Sequence, residues 1–407
     1  MNETDIKDSM KATLSIEKRN EVLKTMASLV EEKSQLILSA NATDMSSYDP
    51  NDRAMYDRLK VDEVKIQGMT ASLSQLASQE DPLGKERFSF VHENGLKIQN
   101  RTAPFGTVLI IYESRPDVTV EAAGIAFKSG NKILLKGGKE SLNSNQAIVE
   151  LWHEALLQNA VDPGWITYLK LDRLETQEFL KNPSEKVDLI IPRGGEKLIQ
   201  FVKQNASCPV IVSGRGNNFA YVHHEADLET AISIIVNAKT DKISACNALD
   251  KVLIDNSLPN FEEFVADLQV ALKEKGVEML MGRELSSESE SAIGKEDPIW
   301  YEEFLDYKIL IDSVESEQEA IDRINTYGGG HSATVITQDE SFAIQFMDQV
   351  DAAAVYHNAS TRFTDGFQFG LGGELAISTD KLHQRGPIGL EHLVTNKWYV
   401  YGEGQIR

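Results

Sequence analysis

From Gly106 onward, short apolar runs rich in β-formers alternate with longer stretches of helical spacing, and the alternation runs through two cycles. In the first, Gly106 to Tyr112 (GTVLIIY) and Ile133 to Leu135 read as buried strands, with a helix over 118–129 between them and a break at Gly130-Asn131. A helix to about Gln158, the 165–169 segment, a helix near 174–180, a strand over 187–191, a helix over 196–204 and a strand over 209–212 follow. The second cycle predicts helices over 228–239, 261–275, 316–325 and 341–350, and strands over 251–254, 277–280, 308–311 and 333–336. Parallel strands need crossovers of a dozen residues or more, which these helices supply. The rhythm therefore specifies an α/β protein with mostly parallel, doubly wound sheets.

The helical spacing of residues 4 to about 80, with Leu23, Met26, Leu29 and Val30 on one face, adds two or three helices ahead of the first cycle. At 407 residues the chain can bury two substantial cores. The segment 284–297 (ELSSESESAIGKED) reads as an exposed loop. The last strand signal, 393–401 (LVTNKWYVY), alternates like a half-buried strand, the kind held by pairing with another sheet edge. Formal charge is −22, which repels phosphate backbones and excludes nucleic acid as a natural partner. Apolar runs stop at about six residues, far short of a membrane span, and the first twenty residues lack a signal-peptide core. Two cysteines, Cys208 and Cys246, cannot form a disulfide framework and accord with a reducing cytoplasm. No metal site is expected: His223-His224 stands without an HExxH or Cys/His cluster.

Three segments carry chemistry. The stretch Tyr356 to Gly373 gathers Ser360, Thr361, Arg362 and Asp365 among four glycines and offers polar groups suited to a small carboxylate-bearing substrate. Cys246 lies in a loop that is expected to enter a short helix, whose N terminus would favour the thiolate, with Lys239 and Lys242 assisting. Cys208 reads as a small buried hydrophobe. Lys136-Gly137-Gly138-Lys139 and Arg193-Gly194-Gly195 each leave a strand for a helix, at the carboxyl ends where parallel sheets bind ligands. Lys136, Lys139 and Arg193 could there meet ribose hydroxyls and a 2′-phosphate.

Long words along the chain carry a resemblance: PFGTVLIIYESRPDVTVEAA, KSGNKILLKGGKES, DLIIPRGG, IVNAKT, CNA, INTYGGGHS, VDAAAVYHNASTRFTDGFQFGLGGE and ISTDKLHQRGPIGLEHLVTNKW. By these the chain resembles the γ-glutamyl phosphate reductases, within the aldehyde dehydrogenase superfamily. The resemblance implies an aldehyde dehydrogenase-like fold of two doubly wound α/β domains plus a small β oligomerisation arm. It implies a dinucleotide domain over 1–93 and 108–220, a catalytic domain over 221–392, and oligomerisation strands over 94–107 and 393–407 that join subunits into a homodimer or dimer of dimers. It implies NADPH-dependent reduction of L-glutamyl 5-phosphate to L-glutamate 5-semialdehyde, a step of proline biosynthesis, through a thioacyl Cys246. Asn247 and Ser114 would assist, Ser114 standing where the superfamily has an oxyanion amide. Glu303 would meet the nicotinamide ribose, while Arg362, or else Arg385, would hold the substrate's carboxylate. A glutamate 5-kinase is the partner in view. The stretch Ser213 to Asn218 lacks the general-base glutamate of hydrolytic relatives, as suits an enzyme that does not activate water. Gly216-Asn-Asn-Phe219 and Lys242-Ile-Ser244 depart from the family pattern close to the site. The alternatives are an aldehyde dehydrogenase using another acyl donor, such as a CoA thioester, and a catalytically impaired regulatory homologue.

Overall fold

The computed structural model describes residues 14–48, 56, 58–285 and 292–407; the start of the predicted helical stretch, residues 4–13, and residues 286–291 of the low-complexity loop lie outside them. The chain divides into two units, one of residues 1–211, 371–375 and 388–407, the other of 212–370 and 376–387.

The first unit opens with helices α1 (Ile16–Glu32), α2 (Ser34–Ser46) and α3 (Glu63–Ser78). Ser15 and Asp62 cap the first and third by accepting hydrogen bonds from Lys18 and Lys65 N–H, which satisfies donors a helix start leaves orphaned. Strands β1 (Glu86–Val91) and β2 (Lys97–Pro104) follow, and then the α/β half. Here β3 (Thr107–Tyr112), α4 (Val118–Lys128), β4 (Lys132–Lys136), α5 (Leu142–Gln158), β5 (Ile166–Tyr168), α6 (Arg173–Lys181), β6 (Leu189–Arg193) and α7 (Glu196–Asn205) run in sequence. The strands form a parallel sheet in the order β5-β4-β3-β6. Winding thus reverses at β3, which has β4 on one side and β6 on the other. The predicted strand over 209–212 contracts to a single parallel bridge between Ile190 and Val210.

The second unit is built from β7 (Asn218–Val222), α8 (Leu228–Thr240), β8 (Leu249–Asp255), α9 (Phe261–Glu274), β9 (Glu278–Met281), β10 (Lys308–Val314), α10 (Glu317–Tyr327), β11 (Ser332–Ile336), α11 (Glu340–Gln349) and β12 (Ala354–His357). All six strands are parallel, ordered β12-β11-β7-β8-β10-β9. Apolar side chains cover both faces. Ala231, Ile235, Phe264 and Leu268 pack on one, and Ile321, Ile324, Phe342 and Phe346 on the other. This explains why the strands read as unbroken apolar runs. Strands β13 (Ala376–Ser378) and β14 (Gly386–Ile388) make a two-stranded ribbon.

The division falls at residue 211, earlier than the expected 220. The reason is that β7 lies inside the second sheet, between β8 and β11. Residues 371–375 and 388–392, expected with the catalytic domain, group with the first unit. Strands β1, β13 and β14 went unread from sequence, as did β12, which takes the first residues of what looked like a pure loop. The terminal strand β15 (Val394–Tyr401) pairs antiparallel with β2, from Val394 opposite Pro104 to Tyr401 opposite Lys97. With β1 on the other side of β2, a three-stranded sheet results.

Candidate active site

Cys246 sits just before β8, at the amino ends of the second unit's strands. No helix follows it: residues 241–248 form turns that lead directly into β8. The expected helix-dipole activation therefore has no basis. Nor do the neighbouring lysines serve the thiol. Lys239 is wholly buried and pairs with Asp250 at 2.9 Å, while Lys242 is exposed.

What meets the thiol is an imidazole. His331, in the turn before β11, places Nε2 3.2 Å from Cys246 Sγ. The ring is fully buried, and burial pushes its pKa down to about 4, so it stands neutral at physiological pH. From its Nδ1 a hydrogen-bonded chain continues through Ser332 Oγ (2.8 Å) and Thr364 Oγ1 (2.7 Å) to the Tyr356 hydroxyl (2.6 Å). Burial raises the Tyr356 pKa to about 12, which keeps this phenol protonated. His331 was missed as a site residue, although it lies in the family-like word INTYGGGHS. Only its proximity to Cys246 in the fold distinguishes it.

The loop bearing Cys246 is held rigidly. Asn218, buried on β7, directs its amide nitrogen at the carbonyls of Gly216, Cys246 and Ala248 (2.7–2.8 Å), while its Oδ1 accepts Ser332 N–H at 3.0 Å. A Cβ on Gly216 would lie 1.8 Å from the Cys246 carbonyl oxygen, so only glycine permits this approach. The atypical segment 216–219 is thus the brace that ties the Cys246 loop to the strand that follows His331. Asn247 donates to the carbonyls of Arg362 and Thr364, and Thr361 Oγ1 donates to Asn247 O. Both act as positioning groups beneath Cys246. The Asn247 Oδ1 is buried without a partner among the described residues.

Of the expected substrate residues, Ser360 accepts the Arg362 N–H, and Asp365 caps its own turn through Phe367 N–H. Arg362 pairs with Asp241 at 3.0 Å rather than with Asp365. It lines a pocket of about 270 Å³ together with Asn237, Asp241, Phe363, Asp365 and Gln368. Arg385 is bound to Asp351 at 2.7 Å, with Lys381 on the same carboxylate. Glu303 is presented by backbone clamped on both sides. Lys251 Nζ donates to Glu302 O at 2.7 Å, and Phe304 N–H donates to Asp250 Oδ2 at 3.0 Å. Burial pushes the Lys251 pKa down to about 7, and its ammonium lies 3.7 Å from the Phe304 ring centroid. Neither Asp250 nor Lys251 was singled out from sequence.

In the first unit, a pocket of about 490 Å³ opens at the carboxyl ends of β3 and β4, lined by Lys136, Lys139, Arg173 and Lys197 together with Ile111, Leu171, Leu198 and Phe201. Glu113 and Asp172 also line it, so four cations against two carboxylates leave net positive charge over an apolar floor, which suits a dinucleotide with its planar rings and its phosphates. Lys136 donates to Gly137 O at 2.9 Å, and burial lowers its pKa. Gly137 is fixed as glycine because a Cβ would fall 2.2 Å from the Asn145 amide. Gly195 begins α7, but its N–H already binds the Glu113 carboxylate at 3.0 Å, so an anion of the protein itself occupies that helix start. Gly194 packs against the same Glu113. Ser114 corrects the expected oxyanion role. Both its N–H and its hydroxyl are given to Glu140 Oε1, at 2.9 and 2.6 Å. Arg193 lies within electrostatic reach of Glu121, as do Arg115, Asp117 and Glu374. Burial, reinforced by Asp117, pushes the Glu121 pKa up to about 7.

With this geometry established, comparison places the chain among known proteins. A profile described as "Aldehyde dehydrogenase family" matches residues 6–286 and 292–398. The γ-glutamyl phosphate reductase of Lachnospira eligens is 43% identical over 400 residues, 97% of this chain and 95% of that protein. The one from Enterococcus faecalis is 43% identical over 391 residues, 96% of this chain and 93% of that protein. The crystal structure of γ-glutamyl phosphate reductase from Thermotoga maritima superposes with a TM-score of 0.91 at 38% identity, covering 98% of this chain and 96% of that one.

Proposed function

The chain belongs to the aldehyde dehydrogenase family, and from that premise we propose that it reduces L-glutamyl 5-phosphate to L-glutamate 5-semialdehyde and phosphate. The observation that carries the reading is a cysteine thiol 3.2 Å from a buried, neutral imidazole, in a chain whose relatives over nearly its whole length are γ-glutamyl phosphate reductases.

The thiol of Cys246 attacks the acyl carbon. His331 Nε2 takes the thiol proton as the carbon–sulfur bond forms, because burial makes a standing imidazolium costly. Phosphate leaves with the bonding pair of the carbon–oxygen bond, and the acyl group remains as a thioester on Cys246. A nicotinamide cofactor, NADPH in this reading, supplies hydride to the thioester carbon when bound. The thiohemiacetal oxyanion then collapses to the aldehyde, and His331 returns the proton to the departing thiolate. The relay through Ser332, Thr364 and Tyr356 keeps the imidazole oriented throughout. The Cys246 backbone N–H serves as oxyanion donor, since Ser114 is engaged with Glu140. Arg362 takes the substrate's α-carboxylate by exchanging Asp241 for it, as its planar fork allows. Lys136 and Lys139 hold the adenosine end of the cofactor, and Glu303 the nicotinamide ribose.

The substrate is an acyl phosphate, so a glutamate 5-kinase must supply it. Two free cysteines accord with a reducing cytoplasm. The test is the reverse reaction: NADPH formation from L-glutamate 5-semialdehyde, phosphate and NADP. Rate should vanish when phosphate is omitted. Dependence on CoA in place of phosphate would instead indicate a thioester-forming aldehyde dehydrogenase.

A further inference from the structure

His223 and His224 follow β7, and nothing in the sequence gave them a partner. The fold supplies one: Glu317, the first residue of α10. One ligating atom from each of His223, His224 and Glu317 lies within 4.8 Å of the other two. His223 is fully buried, with Nε2 3.0 Å from Glu317 Oε1 and Nδ1 2.7 Å from Thr337 Oγ1. The two imidazole rings are 3.9 Å apart between centroids. Asp255, the last residue of β8, brings a second carboxylate to 3.7 Å from His224 Nδ1.

We propose that His223, His224 and Glu317, with Asp255 beside them, bind a divalent transition cation of the zinc class. Two imidazoles and a carboxylate suit zinc, cobalt or nickel better than magnesium or calcium, which prefer all-oxygen shells. In the cation-bound form the His223 proton sits on Nδ1 and is donated to Thr337 Oγ1 (2.7 Å), displacing the 3.4 Å contact from Glu225 N–H. This frees the lone pair of Nε2, which in the cation-free chain is protonated toward Glu317 Oε1 (3.0 Å). Bonds of about 2.0–2.2 Å require the ligand atoms to draw closer together. The side chains of His224 and Glu317 are each 39% exposed, so they can move and also leave an entry path.

This site is separate from the nucleophile. Cys246 and His331 precede β8 and β11, whereas the cluster follows β7, β8 and β10. The two therefore occupy opposite ends of one parallel sheet, roughly 20 Å apart for strands of this length. A cation there would join the exits of β7 and β8 to the start of α10. It would stabilise the native chain by mass action without entering the chemistry.

The test is titration of chelator-washed, full-length Cys246→Ala protein with Co²⁺, whose visible spectrum reports its ligands, and with Zn²⁺ by calorimetry. Removing the catalytic thiol prevents it from competing, and binding at Cys208 would appear as a thiolate-to-cobalt band in the near ultraviolet. The expected result is one equivalent per chain, no thiolate band, and a melting temperature that rises with metal. His224→Ala and Glu317→Gln should each weaken binding by about tenfold or more. The proposal is overturned if binding survives both substitutions unchanged, if a thiolate band appears, or if Co²⁺, Zn²⁺ and Ni²⁺ all fail to bind saturably.

Discussion

Replacing Cys246 by serine should abolish turnover, because the neutral imidazole beside it is too weak a base to ionise an alcohol. Cys208→Ser should leave most activity intact. His331→Gln keeps a polar group next to the sulfur but removes the proton acceptor, so single-turnover acylation should slow by about a hundredfold or more while NADPH binding is unchanged. An unchanged acylation rate would reduce His331 to a packing residue. Glu121 gives a pH prediction. Its folded pKa of about 7 lies above the unfolded value, so between roughly pH 4.5 and 7 the native state holds a proton that the unfolded chain has lost. This contribution to stability is fully present below pH 4.5 and disappears as pH rises through 7. Glu121→Gln should flatten that part of the melting-temperature profile, and an unaltered slope would contradict the assignment. At this scale sequence reading singled out Cys246, which the fold sets beside a buried imidazole, through the motif around it. It missed His331, Asn218, Asp250 and Lys251, whose roles arise only from contacts across strands and loops distant in the chain.

At the scale of elements, the strand-to-helix turns were legible because glycine and lysine at a strand exit have few other uses. Lys139→Glu places an anion in the pocket over β3 and β4, and it should raise KM for NADPH more than for NADH, since only the former carries a 2′-phosphate. Equal changes would move Lys139 out of the phosphate's reach. The helix expected after Cys246 failed for a local reason. Residues 241–248 spend their backbone and side-chain groups on Asn218, Thr361 and the 362–364 carbonyls, which leaves no helical ladder to form. The Tyr356 to Gly373 stretch looked like loop throughout because its polar residues hid the edge strand β12, whose pairing with β11 needs no apolar pattern. Arg362 tests that segment's function. Its partner Asp241 is well exposed, so losing the pair should cost only about 0–1 kcal/mol. Arg362→Ala should therefore leave the melting temperature nearly unchanged, and a large fall in kcat/KM would mark it as the carboxylate's receptor. Unchanged kinetics would remove it from substrate binding.

For the whole molecule, two parallel sheets follow directly from the two cycles of alternation. The exact division does not, because β7 belongs to the second sheet although it precedes that cycle's first helix. The small sheet β1-β2-β15 leaves an apolar surface exposed: Phe88, Phe90 and Val400 lie open beside Trp398, which is 55% exposed and meets Phe88 edge to ring at 5.9 Å. The register aligns Phe88, Asn100 and Trp398 in one row and Phe90, Ile98 and Val400 in another. A second copy of the chain is the partner the family resemblance implies for this face. Trp398→Glu should then shift the protein toward monomers in light scattering, with the far-ultraviolet spectrum unchanged. A variant that stays as large as the parent would separate this face from assembly.

The pairing of β15 with β2 also sets an order in time. At about 5–20 residues added per second, β2 leaves the ribosome roughly 15–60 s before β15 is made. For that interval β1 can close one side of β2 at once, while the other side stays an open row of peptide groups with Phe88 and Phe90 close by. The nascent chain is therefore most vulnerable to wrong pairing with its neighbours on a polysome, and slower translation of the second unit should lower the soluble yield even though the finished fold is the same.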